Sequence, residues 1–124
     1  NGQCKILVVE DDADLTEVLV NMIGDLAEVS VAANFGQARR QLELSRWSLV
    51  ILDVELPDGS GLDMIPFLKS EGRLPTPVII YSANEVSAGI TAKVEHALVK
   101  SQTSNEDLLN MIEAMVVKPE GEDG

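Results

Sequence analysis

Hydrophobic and polar positions fall along this chain in two kinds of block. Ile6-Leu7-Val8-Val9, Leu49-Val50-Ile51-Leu52 and Val78-Ile79-Ile80-Tyr81 are continuous runs with no charged residue, the pattern of strands buried on both faces. Glu28-Val29-Ser30-Val31-Ala32 alternates instead, which predicts an edge strand. Ala97-Leu98-Val99 is a short fifth run. Between the runs the period changes to that of a helix. Leu15, Val18, Leu19, Met22, Ile23 and Leu26 form one stripe, with Asp14 as predicted N-cap and Glu17 as its capping-box partner. Asn34 caps a second helix that runs to about Leu44. Leu62, Ile65 and Leu68 predict a third, which Pro66 should kink or shorten. Residues 84–95 are only weakly helical, because Ser87, Gly89 and Thr91 are poor helix formers. Ser104, with Asp107 three residues on, opens a last helix whose stripe is Leu108, Leu109, Ile112, Met115 and Val116.

Strands that alternate with helices imply an α/β domain with a parallel sheet covered on both faces. Right-handed crossovers restrict its topology. An alternating second strand at an edge fits the doubly wound (βα)5 order 2-1-3-4-5. One domain of ordinary size accounts for residues 4–117 of the 124. Residues 118–124, with Pro119-Glu120-Gly121-Glu122-Asp123-Gly124, read as a disordered acidic tail.

Charge narrows the function classes. The net charge is −12, from 21 acids and 9 bases, which argues against direct binding of nucleic acid or an anionic membrane. Aromatic content of 3% offers no stacking surface for bases. No apolar run approaches the roughly 20 residues of a membrane span. The single cysteine, Cys4, cannot make an internal disulfide and favours a reducing, cytoplasmic setting. Asn1 in place of an initiating Met suggests a piece of a longer protein.

The candidate chemistry lies where the apolar runs stop. In a doubly wound sheet ligands bind at the carboxyl ends of the strands, beside the point where strand order reverses. The first run ends in Glu10-Asp11-Asp12, the third strand in Asp53, the fourth in Ser82 and the fifth in Lys100. Taken singly, each has a plain explanation. Acids at a helix start complement its dipole, which suits Asp12 and Asp14. Asp53 could begin a loop, and Lys100 could be a solvated lysine. Jointly they sit on one edge, and clustered carboxylates repel unless a cation joins them. An all-oxygen set suits a hard ion, Mg2+ above all when phosphate is also present. One carboxylate remains as a nucleophile able to form an aspartyl phosphate, with Lys100 and Ser82 available to phosphoryl oxygens.

Competing motifs fail. The stretch from Asp53 to Asp58 places Pro57 at the fifth position of an EF-hand loop. Gly59-Ser60-Gly61 lacks the rest of a dinucleotide fingerprint. His96 has no partners for zinc.

VVEDD, VILDVELPDGSG, IIYSA and ALVKS, in that order and spacing, resemble the receiver domains of two-component response regulators over residues 4–117. The resemblance implies a flavodoxin-like fold and a Mg2+-dependent signalling switch rather than a separate enzyme, one that assists its own phosphorylation and dephosphorylation. Asp53 would accept a phosphoryl group from a histidine kinase or phosphotransfer protein. Asp11 would ligate Mg2+ directly, Glu10 through water, and the Glu55 backbone carbonyl would add a ligand beside Asp53. Ser82 and Lys100 would follow the phosphoryl group and bias the face of helix four, strand five and helix five, where a phosphorylation-linked dimer could form. The chain could be the receiver of a hybrid histidine kinase. The alternative is a pseudo-receiver, a phosphorylation-independent interaction module. Three departures stand out. Ser101 replaces the proline that usually follows the lysine, so the preceding bond is either trans or strained, a non-proline cis bond costing about 2.5–4 kcal/mol. Ala97 replaces a common aromatic switch residue. Glu55 adds an acid beside the phosphoryl site.

Overall fold

The computed structural model describes residues 4–69 and 76–116. The predicted tail, residues 118–124, lies outside the described residues, as does Val117 at the predicted domain end. Five parallel strands form the central sheet: β1 (Lys5–Val9), β2 (Glu28–Ala32), β3 (Leu49–Leu52), β4 (Val78–Ser82) and β5 (His96–Val99). Their order is 2-1-3-4-5, as the apolar runs predict. Five helices follow the strands in alternation: α1 (Ala13–Ile23), α2 (Phe35–Leu44), α3 (Ile65–Leu68), α4 (Ala88–Thr91) and α5 (Asn105–Val116).

The pleat sorts each strand between two cores. Leu7, Val9, Val50, Leu52 and Ile80 face Ala38 and Leu42 of α2 and Leu68 of α3. Ile6, Val8, Leu49, Ile51, Ile79 and Tyr81 face Leu19 and Ile23 of α1 and Leu108 and Ile112 of α5. Both faces are buried under helices, which is why β1 and β3 show no polar alternation. β2 has helices to cover it less completely, and Glu28 and Val31 are exposed.

α1 differs from the sequence expectation in its cap and in one residue of its stripe, whereas α3 and α4 are short, as expected. The N-cap of α1 is Asp12, not Asp14: its carboxylate accepts from the Asp14 and Leu15 amides at 3.0 and 3.2 Å. Asp14 falls in the first turn, where its charge still suits the helix dipole. Val18 is 39% exposed and does not join the buried stripe. Pro66 shortens α3 to one turn, which begins after a 3-10 segment at Gly61–Met64; without an N–H, proline suits only a first turn. The weak pattern of residues 84–95 condenses to the single turn of α4, capped by Ser87. Ser104 does cap α5, its hydroxyl accepting from the Asp107 amide at 3.0 Å.

The turn-rich stretch after β3 is more ordered than a plain loop. Glu55–Leu56 pairs antiparallel with Gly59–Ser60. Gly61 then passes against the β3 end, where its amide donates to the Val54 carbonyl at 2.6 Å. A Cβ on Gly61 would overlap the Asp53 carbonyl oxygen, which is backbone and cannot swing aside. Gly61→Ala should therefore destabilise the domain by about 1–3 kcal/mol, the scale of overpacking. Urea unfolding measures it, and Gly89→Ala, where an added methyl meets only the Ser87 hydroxyl at 3.8 Å, should show no such loss.

Candidate functional site

Two backbone bonds carry the ladders one residue past the strands. The Glu10 amide donates to the Ala32 carbonyl and the Asp53 amide to the Val9 carbonyl, both at 2.9 Å. Glu10 and Asp53 are thereby held at the carboxyl edge, on adjacent strands, where the strand order reverses. Their side chains are nearly as buried as the core, at 4% and 6% exposure. Asp11 is exposed beside them. One carboxylate oxygen from each of Glu10, Asp11 and Asp53 lies within 4.8 Å of the others.

Lys100, the first residue after β5, enters this cluster. Its Nζ lies 2.7 Å from Glu10 Oε1 and 3.5 Å from Asp53 Oδ2. The other Glu10 oxygen accepts from the Asp12 amide at 3.1 Å. Burial pushes the Glu10 carboxyl above its usual range, although Lys100 and the Asp12 amide pull it back. Burial also pulls on the Lys100 ammonium, but Glu10 and Asp53 outweigh it and hold the lysine charged to higher pH than usual. The two shifts have different causes: burial acts on the Glu10 carboxyl, and the neighbouring carboxylates act on the Lys100 ammonium.

Ser82, the last residue of β4, is buried at 2% exposure and pairs in register with Val99, next to Lys100. Ala83 follows it into the wall of an open cleft of about 460 Å3 that also holds Glu10, Asp11, Asp53, Lys100 and the Glu55–Pro57 loop. Glu55 is exposed on that wall. Glu10, Asp11, Asp53, Glu55 and Lys100 thus line one cleft, whereas Ser82 is buried and reaches its wall only through its neighbour Ala83. All described peptide bonds are trans, that before Ser101 included, and Lys100–Gln102 turns as a short 3-10 segment.

Sequence reasoning missed two features. One is the direct pairing of Lys100 with Glu10, which the lysine's position alone did not distinguish from pairing with Asp53. The other is Asp58. It read as a turn former, but its carboxylate accepts from the Phe35 and Gly36 amides of α2 at 2.7 and 3.1 Å. Those two bonds hold its carboxyl below the usual range.

The donor set fits a hard divalent cation. All the side-chain donors are carboxylate oxygens, and one lysine neutralises only one of three charges, so negative charge remains for an ion to satisfy.

Comparison with known proteins places the chain. The sequence profile described as "Response regulator receiver domain" matches residues 6–113. The transcriptional regulatory protein CrdR of Helicobacter pylori is 33% identical over 87 residues, covering 69% of this chain and 41% of that protein. The chain thus spans about two-fifths of the length of this relative. The response regulator protein TrrA of Thermotoga maritima, solved in complex with Mg2+–BeF, is 25% identical with a TM-score of 0.77, covering 90% of this chain and 98% of that one. A CheY-like response regulator receiver domain from Methylobacillus flagellatus shares the fold, with a TM-score of 0.79 at 17% identity over 91% of this chain and 98% of that one.

Replacing Lys100 by Met leaves Glu10 and Asp53 buried without their cation. In metal-free buffer at neutral pH, Lys100→Met should lower stability by about 1–3 kcal/mol, less than a fully buried pair because the lysine side chain is partly exposed and Glu10 can take up a proton. The deficit should narrow as the pH falls, since a protonated Glu10 needs no counter-charge. Urea unfolding across pH measures both.

Proposed function

This chain belongs to the response regulator receiver domain family of two-component signalling, and from that membership we propose that it is a phospho-accepting switch with Asp53 as the acceptor. The observation that carries the reading is the close grouping of Asp53 with Glu10, Asp11 and Lys100 at the sheet's reversal point. A histidine kinase or phosphotransfer protein is the proposed donor. An Asp53 carboxylate oxygen attacks the phosphorus of the partner's phosphohistidine, the P–N bond breaks, and the imidazole leaves with that bond's electron pair.

Glu10 and Asp11, with Asp53 and the Glu55 carbonyl, are the proposed Mg2+ ligands. The bound ion would neutralise charge on the transferring phosphoryl oxygens. Glu10 has one oxygen on Lys100 and one on the Asp12 amide, so its contact with an ion is best made through water, while exposed Asp11 is free to ligate directly. Lys100 turns from the acids to a phosphoryl oxygen, a point charge suited to it. The Ser82 hydroxyl donates to another.

The added charge of roughly −1.5 to −2 draws Ser82 and Lys100 together. Ser82 ends β4, the neighbour of β5, and Lys100 directly follows β5; we propose the face of α4, β5 and α5 as the output, for an effector or for a phosphorylation-linked dimer. Among the described residues no helix is long and apolar enough to cross a membrane.

Incubation with Mg2+ and acetyl phosphate, read by intact mass, tests the reading. Wild type should gain one phosphate, lost in Asp53→Asn and on chelation of the metal. No gain from acetyl phosphate or a cognate kinase would favour the phosphorylation-independent interaction module instead.

A further inference from the structure

The N-terminus of α2 is capped from two directions. Asn34 does so locally, its Oδ1 accepting from the Gln37 amide at 2.8 Å, and its carbonyl takes the Ala38 amide at 3.1 Å. That leaves the Phe35 and Gly36 amides, the two that a local cap does not reach. Asp58 takes both, from 23 and 22 residues away. A helix needs only some partner for these amides, and water would serve. A carboxylate from a distant loop is a stronger choice, because it is charge-assisted and sits at the positive end of the helix dipole.

The far end of the same bonds is the loop that follows Asp53. Residues Glu55 to Pro57 form one wall of the cleft. The loop is fastened at its start by the Asp53 amide on Val9, at its close by the Gly61 amide on Val54, and across its neck by the Glu55–Ser60 pair. Leu56 is buried in the core beside Ala38 and Leu42, whereas the tip beyond it, Pro57 and Asp58, is exposed. Asp58 sits at that tip and ties it to a helix packed through Ala38 and Leu42 into the core.

We infer that Asp58 is a positioning residue for the site: by bridging to the first turn of α2 it fixes the loop that presents the Glu55 carbonyl and Pro57 to the cleft. This rests on the proposed Mg2+ and phosphoryl role of the site and adds a residue outside it. Both amides belong to α2, so the loop's position depends on the seating of that helix.

Asn34 supplies a matched comparison, because it caps the same helix without touching the loop. Three variants are compared with wild type: Asp58→Ala, Asp58→Asn and Asn34→Ala. The readouts are Mg2+ affinity, the rate of phosphorylation by acetyl phosphate, and amide exchange at Glu55 and Gly61. Asp58→Ala should weaken Mg2+ binding about tenfold, the scale of losing a group that orients a metal ligand, slow phosphorylation, and speed exchange at both amides. Asn34→Ala should lower the unfolding midpoint while leaving all three readouts near wild type. Asp58→Asn keeps one acceptor oxygen for the two amides and sets its NH2 against the other, so it should recover only part of the loss. Equal effects from Asp58→Ala and Asn34→Ala would reduce Asp58 to a helix cap and overturn the inference. So would an Asp58→Ala variant whose amides at Glu55 and Gly61 exchange at the wild-type rate, since the loop would then hold without the bridge. If wild type itself neither binds Mg2+ nor takes phosphate, the proposed function fails, and exchange at Glu55 and Gly61 still decides whether Asp58 holds the loop.

Discussion

The contact between Lys100 and Glu10 is the constraint on which the site depends. At 2.7 Å, with Glu10 almost wholly buried, neither partner can be removed cheaply. Yet the pair does not neutralise its surroundings, since Asp11 and Asp53 stand beside it. A fold optimised for stability alone would place apolar residues at two of these positions. Retaining surplus negative charge at a strand edge makes the cleft a place where a cation, and then a phosphoryl group brought with it, lowers the energy. The same surplus would let Lys100 serve two states under the proposed function. It is held by carboxylates in this structure, and on the proposed function a phosphoryl group would be a stronger anion for it to move to.

The rest of the fold positions that cluster. Parallel pairing of β1 with β3 puts Val9 beside Leu52, so the residues that follow, Glu10 and Asp53, emerge side by side. The buried cores on both sheet faces keep those strands in register, since a slip of one residue would exchange the sets Leu7–Val9 and Ile6–Val8 between two differently shaped layers. Gly61 lets the chain turn back against the Asp53 carbonyl, and Asp58 ties that returning loop to α2. Stability and site geometry therefore share residues.

Much of this was legible in the sequence, for physical reasons that differ by element. Strands β1, β3 and β4 announce themselves because burial on both faces removes polar residues altogether. The sheet-edge acids, Ser82 and Lys100 are legible because each stops an apolar run. The α1 cap was misplaced by two residues because Asp12 and Asp14 are the same residue type, and only backbone geometry separates a cap from a first-turn acid. The shortness of α3 followed from Pro66, but the hairpin from Glu55 to Ser60 was hidden in a stretch whose turn formers signal bending without saying what pairs. Asp58 was illegible because its partners are 22 and 23 residues away, and no local pattern encodes which helix a loop carboxylate will reach.

Of the three departures from the family pattern, Glu55 lies on the wall of the cleft itself. Ala97 stands on β5, and Ser101 directly follows Lys100, whose Nζ reaches the acidic cluster. The surplus charge at that cluster is best probed by following the unfolding midpoint as Mg2+ is added to wild type and to Asp11→Asn. A ligand bound only by the folded state stabilises it by RT ln(1 + [L]/Kd), so the wild-type midpoint should climb steadily once Mg2+ exceeds its Kd, and the Asp11→Asn curve should stay nearly flat. A wild-type midpoint that ignores Mg2+, or one that rises equally in Asp11→Asn, would contradict the assignment of these carboxylates to a metal site.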